Sequence, residues 1–386
     1  MSRYEGGSKE KRRRDDGGRK KYNPNKNRRH EFAPRSNDRS SSQHYNATDG
    51  AATEALWNQR PGGRKYTVSV AIPGSIVANA QSRELRTYLA GQVARTLAVF
   101  NVDEVIVFDD RSISKATSGG TAYGDANTFL ARVLQYLECP QYLRKKLFPI
   151  HPDLQFAGLL NPLDAPHHMR ADEIRPYREG VVVDALPNDR VGSLVHVGTR
   201  QYVQIPKRLK PGTRVTVEMG KTQDEDGGKR SFNGPVPKGR AVAPSKPRTS
   251  LGVYWGYSVR MASGFKEIFS QCPFEGGYDC AIGTSENGAS IHGDPATSTP
   301  AFQMKANADH TLIVFGGLAG LEASVEADES LNVPKEKTKE IFDFYLNSCP
   351  NQGSRTIRTE EAILITLALL CPQIDQCARE RTDIVP

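Results

Sequence analysis

The polar segment NSCPNQGSRTIRTEE (347–361) runs directly into the apolar segment AILITLALL (362–370) near the end of the chain. Pro350 and Gly353 favour a tight turn in the polar segment, and such turns expose backbone N–H groups. The apolar segment is long enough for a buried helix. Thr359 is a suitable N-cap for it, followed by two glutamates that suit the helix dipole. A polar loop attached to a buried helix so late in the chain predicts that this loop closes a pocket formed by earlier segments.

Two earlier segments, GTSENG (283–288) and FGGLAGLE (315–322), have a similar character. The first follows a predicted strand at 278–283, and the second follows one at 310–315. Ligands of parallel sheets bind beyond the carboxyl ends of the strands, and glycines there let the backbone approach a ligand closely. The three loops therefore predict one ligand pocket. The sequence contains neither GxGxxG nor GxxxxGK[ST], which argues against an ordinary dinucleotide site and against a P-loop.

The strand and helix signals predict one α/β domain in two sequence halves, 65–166 and 259–380. In the first half, strand 66–72, helix 82–100 and strand 103–109 form a βαβ unit, which implies parallel pairing. The helix is predicted from apolar residues at three- and four-residue spacing. Further helices are predicted at 127–136, 140–148 and 263–269.

Between the two halves, residues 167–258 have a different sequence pattern. It contains short β-type runs separated by Gly and Pro, at 180–183, 193–197, 201–205, 214–218 and 254–259. Five short strands at close intervals predict a small antiparallel barrel, of OB type by strand count.

Residues 1–64 are predicted to be a disordered basic tail, because the segment has too few apolar residues to offset its ordering entropy. Residues 1–60 hold 15 Lys and Arg against 8 Asp and Glu, a net charge of +7 out of +8 for the chain. The clusters KRRR (11–14) and RKK (19–21) predict targeting to the nucleus, including the nucleolus, and loose contact with RNA. The alternative is a solvated tail without a partner.

Several other classes are disfavoured by the sequence. No run approaches the roughly 20 apolar residues of a membrane span, and the N-terminus lacks the apolar core of a secretory signal. The six cysteines form no CxxC pair, so neither a zinc ribbon nor a redox motif is indicated. Reduced thiols in the cytosol or nucleus are expected. His167 and His168 are adjacent and cannot share a helix face, so no metal site is predicted.

A family resemblance extends these predictions. The segments at 283–288, 315–322 and 347–365 closely resemble SPOUT-class RNA methyltransferases, which have an α/β trefoil-knot fold. YTVSVAIPGSIVANAQSRELRTYLAGQVAR (66–95) and LQFAGLLNPLDAPHHMR (154–170) also resemble this class. The resemblance covers most of 65–370 and is to the eukaryotic nuclear branch with an inserted OB-like domain. It implies a knotted C-terminal chain, a homodimer with the acceptor site at the subunit interface, and RNA, ribosomal in particular, as the partner.

The resemblance also implies S-adenosylmethionine as the cofactor, held largely by backbone groups of the three loops. Three of the expected residues, Leu318, Leu321 and Ile357, would pack on adenine. The full set of expected cofactor-binding residues is Thr284, Ser285, Gly316, Gly317, Leu318, Gly320, Leu321, Gln352, Gly353, Ser354, Ile357 and Thr359.

Four residues are candidates for the catalytic step. Arg355 and Arg358 lie in the third loop, where a guanidinium could hold a phosphate or a developing anion. The alternative for them is a salt bridge with Glu360 or Glu361. The other two candidates are Glu322 and Arg86.

Glu322 could bind a ribose hydroxyl or orient the acceptor, and its alternative is a helix N-terminal carboxylate. Arg86 occupies the position at which several members of the family place an arginine for the substrate. Its alternative is a solvated helix residue. No histidine stands out as a base.

The predicted barrel supplies candidate RNA-binding residues, because OB-type barrels bind single strands with aromatic and basic side chains. The candidates are Tyr202, Lys207, Arg208 and Lys210, the last three clustered in one turn. Tyr254 and Trp255 are further candidates. The alternative for both is a core position, which is preferred for Trp255.

Together these observations predict an S-adenosylmethionine-dependent RNA methyltransferase that acts on a base in ribosomal RNA. N3 of uridine is preferred over a ribose hydroxyl, because an imide proton is more acidic and no strong general base is evident. The alternative is a non-catalytic RNA-binding or scaffold protein in ribosome assembly or at the mitotic spindle. A small-molecule nucleotide enzyme is disfavoured by the missing phosphate motifs.

Overall fold

The structure is a computed structural model that describes residues 57, 62–112, 125–183, 192–220, 236–296, 298 and 300–383. Within these residues the strands are β1 (Thr67–Pro73), β2 (Glu104–Phe108), β3 (Tyr177–Val182), β4 (Ser193–His196), β5 (Val203–Ile205), β6 (Arg214–Met219), β7 (Gly239–Val242), β8 (Ser258–Ala262), β9 (Cys280–Ser290), β10 (His310–Val314) and β11 (Phe344–Asn347). The α-helices are α1 (Arg83–Val99), α2 (Ala126–Glu138), α3 (Gln141–Leu147), α4 (Lys246–Leu251), α5 (Lys266–Ser270), α6 (Leu321–Ala327) and α7 (Thr359–Asp383). Short 3-10 helices lie at Gly74–Asn79, Pro152–Leu154, Ala157–Leu159 and Lys335–Ile341.

The larger sheet contains six strands in the order β11-β9-β10-β1-β2-β8, and every neighbouring pair is parallel. The predicted βαβ unit is confirmed, because β1 pairs with β2 in parallel and α1 connects them. β1 and β2 are buried along their whole length, as expected of central strands covered on both faces. Helices α1, α2 and α7 contribute to the main core on one face, and α5 and α6 to a second core cluster.

The smaller sheet is antiparallel, with the strand order β5-β4-β3-β6-β7. It is nearly closed, because Gln204 in β5 meets Lys238, just before β7, through an isolated parallel bridge. Its inward side chains form a separate core of mainly valine and isoleucine. The strands of this sheet lie inside the predicted region 167–258.

The predicted fifth strand of the barrel, 254–259, is wrong. Ser258–Ala262 forms β8 and pairs with β2 in the larger sheet, while Gly239–Val242 is the fifth strand of the smaller sheet. Trp255 and Tyr254, which lie between β7 and β8 in the chain, are buried, and this confirms the core position preferred for Trp255. The indole nitrogen of Trp255 donates a hydrogen bond of 2.6 Å to Glu179. Aromatic and β-branched residues in this segment suit any sheet, so the pattern could not identify which sheet it joins.

Two residues of the predicted tail, Trp57 and Arg64, have buried side chains. Trp57 packs edge-on against Trp255 with ring centroids 6.0 Å apart. The guanidinium of Arg64 is buried and forms two hydrogen bonds to Asp103, of 2.8 and 2.6 Å. A buried bidentate pair and a buried aromatic ring can order a short segment that the surrounding composition marks as polar. The rest of the predicted tail, including both basic clusters, lies outside the described residues.

Helix α7 is longer than the apolar segment predicted, and Thr359–Arg381 is long and apolar enough for a membrane span by length and composition alone. In the structure Ile363, Leu367, Leu370 and Ile374 are buried in the main core at three- and four-residue spacing. This spacing is that of an amphipathic helix packed on a core.

A charged cluster joins the smaller sheet to α2. Arg214 in β6 donates hydrogen bonds to Glu138 at 2.5 and 2.9 Å and to Glu179 in β3 at 2.7 Å. Both carboxylates are buried. Burial alone would raise the pKa of Glu138, but Arg214 and, to a smaller extent, His167 outweigh this effect and lower it. Because the pKa of Glu138 is lowered, the stabilisation that its ion pair gives to the folded protein is present at neutral pH. This stabilisation is lost as the pH falls through that pKa.

The substitution Arg214→Ala tests this junction. It leaves two buried carboxylates without their cation, so we expect a loss of roughly 3–5 kcal/mol in the free energy of unfolding. The exposed pair of Arg240 with Glu218 supplies the control, since Arg240→Ala removes a solvated ion pair worth about 0–1 kcal/mol. Urea unfolding at pH 7 measures both values. Equal effects of the two substitutions would contradict the structural role of Arg214.

Candidate functional site

The first predicted loop, residues 284–288, is extruded from a strand rather than placed after one. β9 continues to Ser290, but its pairing with β11 jumps from Tyr345↔Gly283 to Leu346↔Ala289. The five residues between Gly283 and Ala289 therefore bulge out of the ladder beside the end of β10. The predicted strand end at 283 was wrong, because pairing resumes beyond the bulge.

The second and third predicted loops are joined by one hydrogen bond. The hydroxyl of Thr359, the first residue of α7, donates to the backbone oxygen of Gly316 at 3.0 Å. The predicted N-cap role of Thr359 is therefore wrong, since its hydroxyl is turned to the neighbouring loop. Glu361 instead accepts a hydrogen bond from the backbone N–H of Arg358 at 2.9 Å, which is half of a capping box.

Glu322 joins the first loop to the second. Its Oε1 accepts hydrogen bonds from the hydroxyl of Ser285 at 2.8 Å and from the amide of Asn287 at 3.1 Å. Burial would raise the pKa of Glu322, but Asn287, its own backbone, the nearby hydroxyl of Tyr345 and Ser285 lower it. The carboxylate is therefore ionised at neutral pH and held in place, as an acceptor for a hydroxyl group requires.

Thr284 has a different partner from Ser285. Its hydroxyl donates to the backbone oxygen of Val314 at 2.9 Å, at the end of β10. The three predicted loops are thus connected by side-chain hydrogen bonds at one edge of the sheet. Glu322 joins the first to the second, Thr359 joins the second to the third, and Thr284 attaches the first to the end of β10.

Glycine is required in the second loop by close packing. A Cβ at Gly316 would lie 2.4 Å from the backbone nitrogen of Leu321, and one at Gly317 would lie 2.8 Å from Oδ2 of Asp110. Gly320 has φ of +85°, which favours glycine. By contrast, a Cβ at Gly353 in the third loop would meet nothing within 4 Å. The second loop is therefore closely packed, while Gly353 borders open space.

The three predicted adenine-packing residues differ in accessibility. Leu318 is 83% exposed at the tip of the second loop, and Ile357 is half-buried. Leu321 is only 1% exposed and packs in the second core cluster under the sheet edge. Leu318 and Ile357 are available to a ligand, whereas Leu321 supports the loop from below.

The remaining predicted residues of the third loop are polar and largely exposed. Gln352 donates a long hydrogen bond, 3.4 Å, to the backbone of Arg355, and Ser354 donates to the backbone of Thr356 at 2.9 Å. The side chains of Arg355 and Arg358 form no hydrogen bond or ion pair with any other residue that the structure describes. The salt bridges considered as their alternative, with Glu360 or Glu361, are therefore not formed.

Arg86 lies in α1, where its Nε donates to the backbone oxygen of Ala80 at 3.3 Å. It lines a small crevice with Arg83, Phe129 and Phe156. Its predicted role in the substrate site stays a prediction.

The predicted RNA-binding residues are on the surface of the smaller sheet. Tyr202 is 46% exposed, and its ring lies edge-on to that of His196, with centroids 6.0 Å apart. Lys207, Arg208 and Lys210 are exposed in the turn between β5 and β6.

The two adjacent histidines have a structural role. The rings of His167 and His168 both contact the backbone oxygen of Glu138, at 2.9 and 2.7 Å. Burial, followed by the charge of His167, lowers the pKa of His168 to about 3. Among the described residues, no group of three or more His, Cys, Asp or Glu is placed to hold a metal ion.

The comparison with known protein families identifies the chain. A family model described as "Putative RNA methyltransferase" matches residues 67–370, which includes both sheets and all three loops. The chain belongs to this family of RNA methyltransferases. The resemblance found in the sequence is thereby confirmed.

Individual relatives are similar over most of their length, and three of them are named 28S rRNA (uridine-N(3))-methyltransferase. The Homo sapiens protein is 50% identical over 334 residues, which cover 85% of this chain and 84% of that protein. The Mus musculus protein is 52% identical over 319 residues, covering 81% and 78%. The Drosophila melanogaster protein is 45% identical over 352 residues, covering 87% and 68%.

Sequence reasoning missed four residues that the structure brings to this edge. Asn287 and Tyr345 support Glu322, while Ser75 and Asp110 pack against Gly317. Ser75 comes just after β1, the parallel neighbour of β10, and Asp110 comes just after β2, the next strand in the sheet. Their position after two predicted parallel strands was the available signal.

The contrast between Gly316 and Gly353 gives a test of the loop packing. We expect Gly316→Ala to cost about 1–3 kcal/mol in the free energy of unfolding, because the new methyl group would press on backbone atoms. Gly353→Ala should stay within about 0.5 kcal/mol of the wild type. Urea unfolding of both variants decides the point, and a Gly316→Ala protein as stable as Gly353→Ala would refute the described packing.

Proposed function

We propose that this protein transfers a methyl group from S-adenosylmethionine to N3 of a uridine in ribosomal RNA. The observation that carries the proposal is the connection of three carboxyl-end segments into one site by Thr284, Glu322 and Thr359. The relatives named above support the choice of acceptor, since all three are about half identical to this chain.

The residues of the site fit S-adenosylmethionine by their chemistry. An adenine ring needs apolar contact and backbone hydrogen bonds, which Leu318, Ile357 and the glycine-rich second loop can supply. The ribose needs an acceptor for its hydroxyls, and the ionised Glu322 lies between the first and second loops. Open space beside Gly353 leaves room for the rest of the molecule. When bound, S-adenosylmethionine would supply an electrophilic methyl group.

The chain's own contribution is to position the acceptor and to balance its charge. Holding a nucleophile in line with the methyl carbon removes much of the entropic barrier to transfer. Arg355 and Arg358 are exposed, and their side chains have no partner among the described residues, so they can bind the RNA backbone bidentately. Uridine N3 must lose its proton during the reaction, which requires an acceptor in the site.

We also propose that the smaller sheet is an OB-type barrel that binds the RNA strand. Five antiparallel strands that close through the bridge between Gln204 and Lys238 support this assignment. Tyr202 offers an exposed ring for base stacking, and the basic turn at 207–210 offers cations for phosphates. The basic tail at 1–64 is proposed to direct the protein to the nucleus and the nucleolus.

A knotted C-terminal chain is part of the same proposal. β11 lies at the edge of the sheet beyond β9, yet α7 begins beside Gly316 at the end of β10. The intervening residues, 348–358, must therefore cross back over the end of β9. This return of the chain towards β10 supports the proposed knot.

A homodimer is proposed from an apolar surface on α1 and α7. Leu85, Tyr88 and Leu364 are each about half exposed, and a groove of about 380 Å³ runs between these helices. Sedimentation equilibrium is expected to give a dimer that Leu364→Arg converts to a monomer. The control Val236→Arg, at an exposed position just before β7, should stay dimeric, and a monomeric wild type would end this proposal.

The proposed reaction is tested by mass spectrometry of ribosomal RNA nucleosides from cells that lack the protein. We expect 3-methyluridine to be lost and then restored by the wild type and by Gly353→Ala. Gly353→Trp should not restore it, because the indole fills the open space of the site, and calorimetry should find weakened binding of S-adenosylhomocysteine.

Two other results would count against the proposal. Normal 3-methyluridine with a lost ribose-methyl signal would overturn the choice of acceptor. A wild-type chain that binds no S-adenosylhomocysteine would leave the non-catalytic scaffold as the better description.

A further inference from the structure

We propose that the carboxylate of Asp110 accepts the N3 proton of the uridine during methyl transfer. This inference rests on the proposed function and adds the group that the sequence did not supply, a general base. It begins from the strand order, because β2, β1 and β10 are parallel neighbours. Their carboxyl ends therefore place Asp110, Ser75 and Gly317 side by side.

Asp110 is held rigidly at this edge. Its Oδ2 accepts a hydrogen bond from the hydroxyl of Ser75 at 2.6 Å. Its Oδ1 accepts two hydrogen bonds from Ser112, from the hydroxyl at 2.8 Å and from the backbone N–H at 3.2 Å. The residue is only 7% exposed, so its orientation is fixed by these contacts and by the packing around it.

The described residues leave one acceptor position on the carboxylate unused. An ionised carboxylate offers about four lone-pair positions, and the three hydrogen bonds above occupy three of them. Two of these are on Oδ1, so the unused position is on Oδ2. This same oxygen lies against Gly317, where a Cβ would approach it to 2.8 Å. The free lone pair therefore belongs to the oxygen that faces the second cofactor loop.

The charge of Asp110 is not offset by a cation. No Lys, Arg or His among the described residues forms an ion pair with it. Of its charged neighbours in the chain, Asp109 accepts a hydrogen bond from the backbone of Arg111. The guanidinium of Arg111 is directed to Ala327 and Asp328 of the α6 region. On the β1 and β10 sides the contacting groups are Ser75 and Gly317, which are uncharged.

The other carboxylates of the region are less suited to this role. One oxygen of Glu322 accepts hydrogen bonds from Ser285 and Asn287, and the residue lies on the β9 side of the second loop. Glu104, at the amino end of β2, is paired with Arg260. Asp110 and Glu322 thus flank the second loop from opposite sides. We assign proton transfer to Asp110 and cofactor orientation to Glu322.

The step balances without any further reactant. The N3–H bond of uridine breaks, and its proton passes to Oδ2 of Asp110. The electron pair left on N3 forms the new bond to the methyl carbon. The bond between that carbon and the donor sulfur breaks with its pair going to sulfur, which changes from a sulfonium to a neutral thioether. Asp110 then releases the proton to water.

The substitution Asp110→Asn tests the assignment, because it keeps the shape and removes the base. We expect binding of S-adenosylhomocysteine, measured by calorimetry, to stay within about twofold, while kcat on RNA falls roughly 10²–10⁴-fold. On RNA that carries 5-fluorouridine at the target, whose N3 is more acidic, the loss should shrink by at least about tenfold. Asp109→Asn is the matched control and should resemble the wild type on both RNAs.

A second variant covers the case in which Asp110→Asn does not fold. Ser75→Ala removes the hydrogen bond that orients Oδ2 of Asp110, so kcat on uridine RNA should fall and the loss should again be smaller on the 5-fluorouridine RNA. An equal loss on both RNAs, or no loss, would contradict the proposal, because a purely structural role of Ser75 would not distinguish the two acceptors.

Other results overturn the inference without affecting the proposed function. If Asp110→Asn loses the same factor on both RNAs, or loses nothing, Asp110 is not the base even though the wild type methylates uridine. A wild-type protein that binds the donor but methylates neither RNA would instead refute the proposed function itself.

Discussion

The parallel pairing of all six strands in the larger sheet is the constraint on which the site depends. Because neighbouring strands run in one direction, the bulge of β9 and the segments that follow β10, β1 and β2 meet at a single edge. Residues more than two hundred positions apart in the chain, such as Asp110 and Gly317, come into contact in this way. The antiparallel sheet is inserted between two strands of this arrangement and leaves the edge intact.

Hydrogen bonds then convert neighbouring segments into one site. Thr359 fixes the start of α7 to the second loop, and Glu322 fixes the bulge of β9 to the same loop. Each bond uses a side chain that would otherwise serve its own helix, as a cap or as a first-turn carboxylate. The site is therefore stabilised by tertiary contacts, and the buried half of α7 anchors it to the core.

The sequence predicted those parts of the molecule that have a local signal. The spacing of Leu89, Val93 and Leu97 gave helix α1, and glycines after apolar runs gave the three loops. The choice of pairing partner leaves no such local signal in the sequence. For this reason β8 was assigned to the wrong sheet, and Gly239–Val242 was not recognised as a strand. Ser75 and Asp110 resemble ordinary turn residues until the strand order is known. Thr359 resembles an N-cap until Gly316 lies beside it.

The central claim is that three separate segments, 284–288, 316–320 and 352–359, bind one methyl donor. Hydrogen–deuterium exchange of the wild-type protein with and without S-adenosylhomocysteine tests it most directly, since backbone amides in contact with the ligand exchange more slowly. The account predicts slower exchange in all three segments together, with no change in β3–β7. Slower exchange in only one of them, or in none, would contradict it.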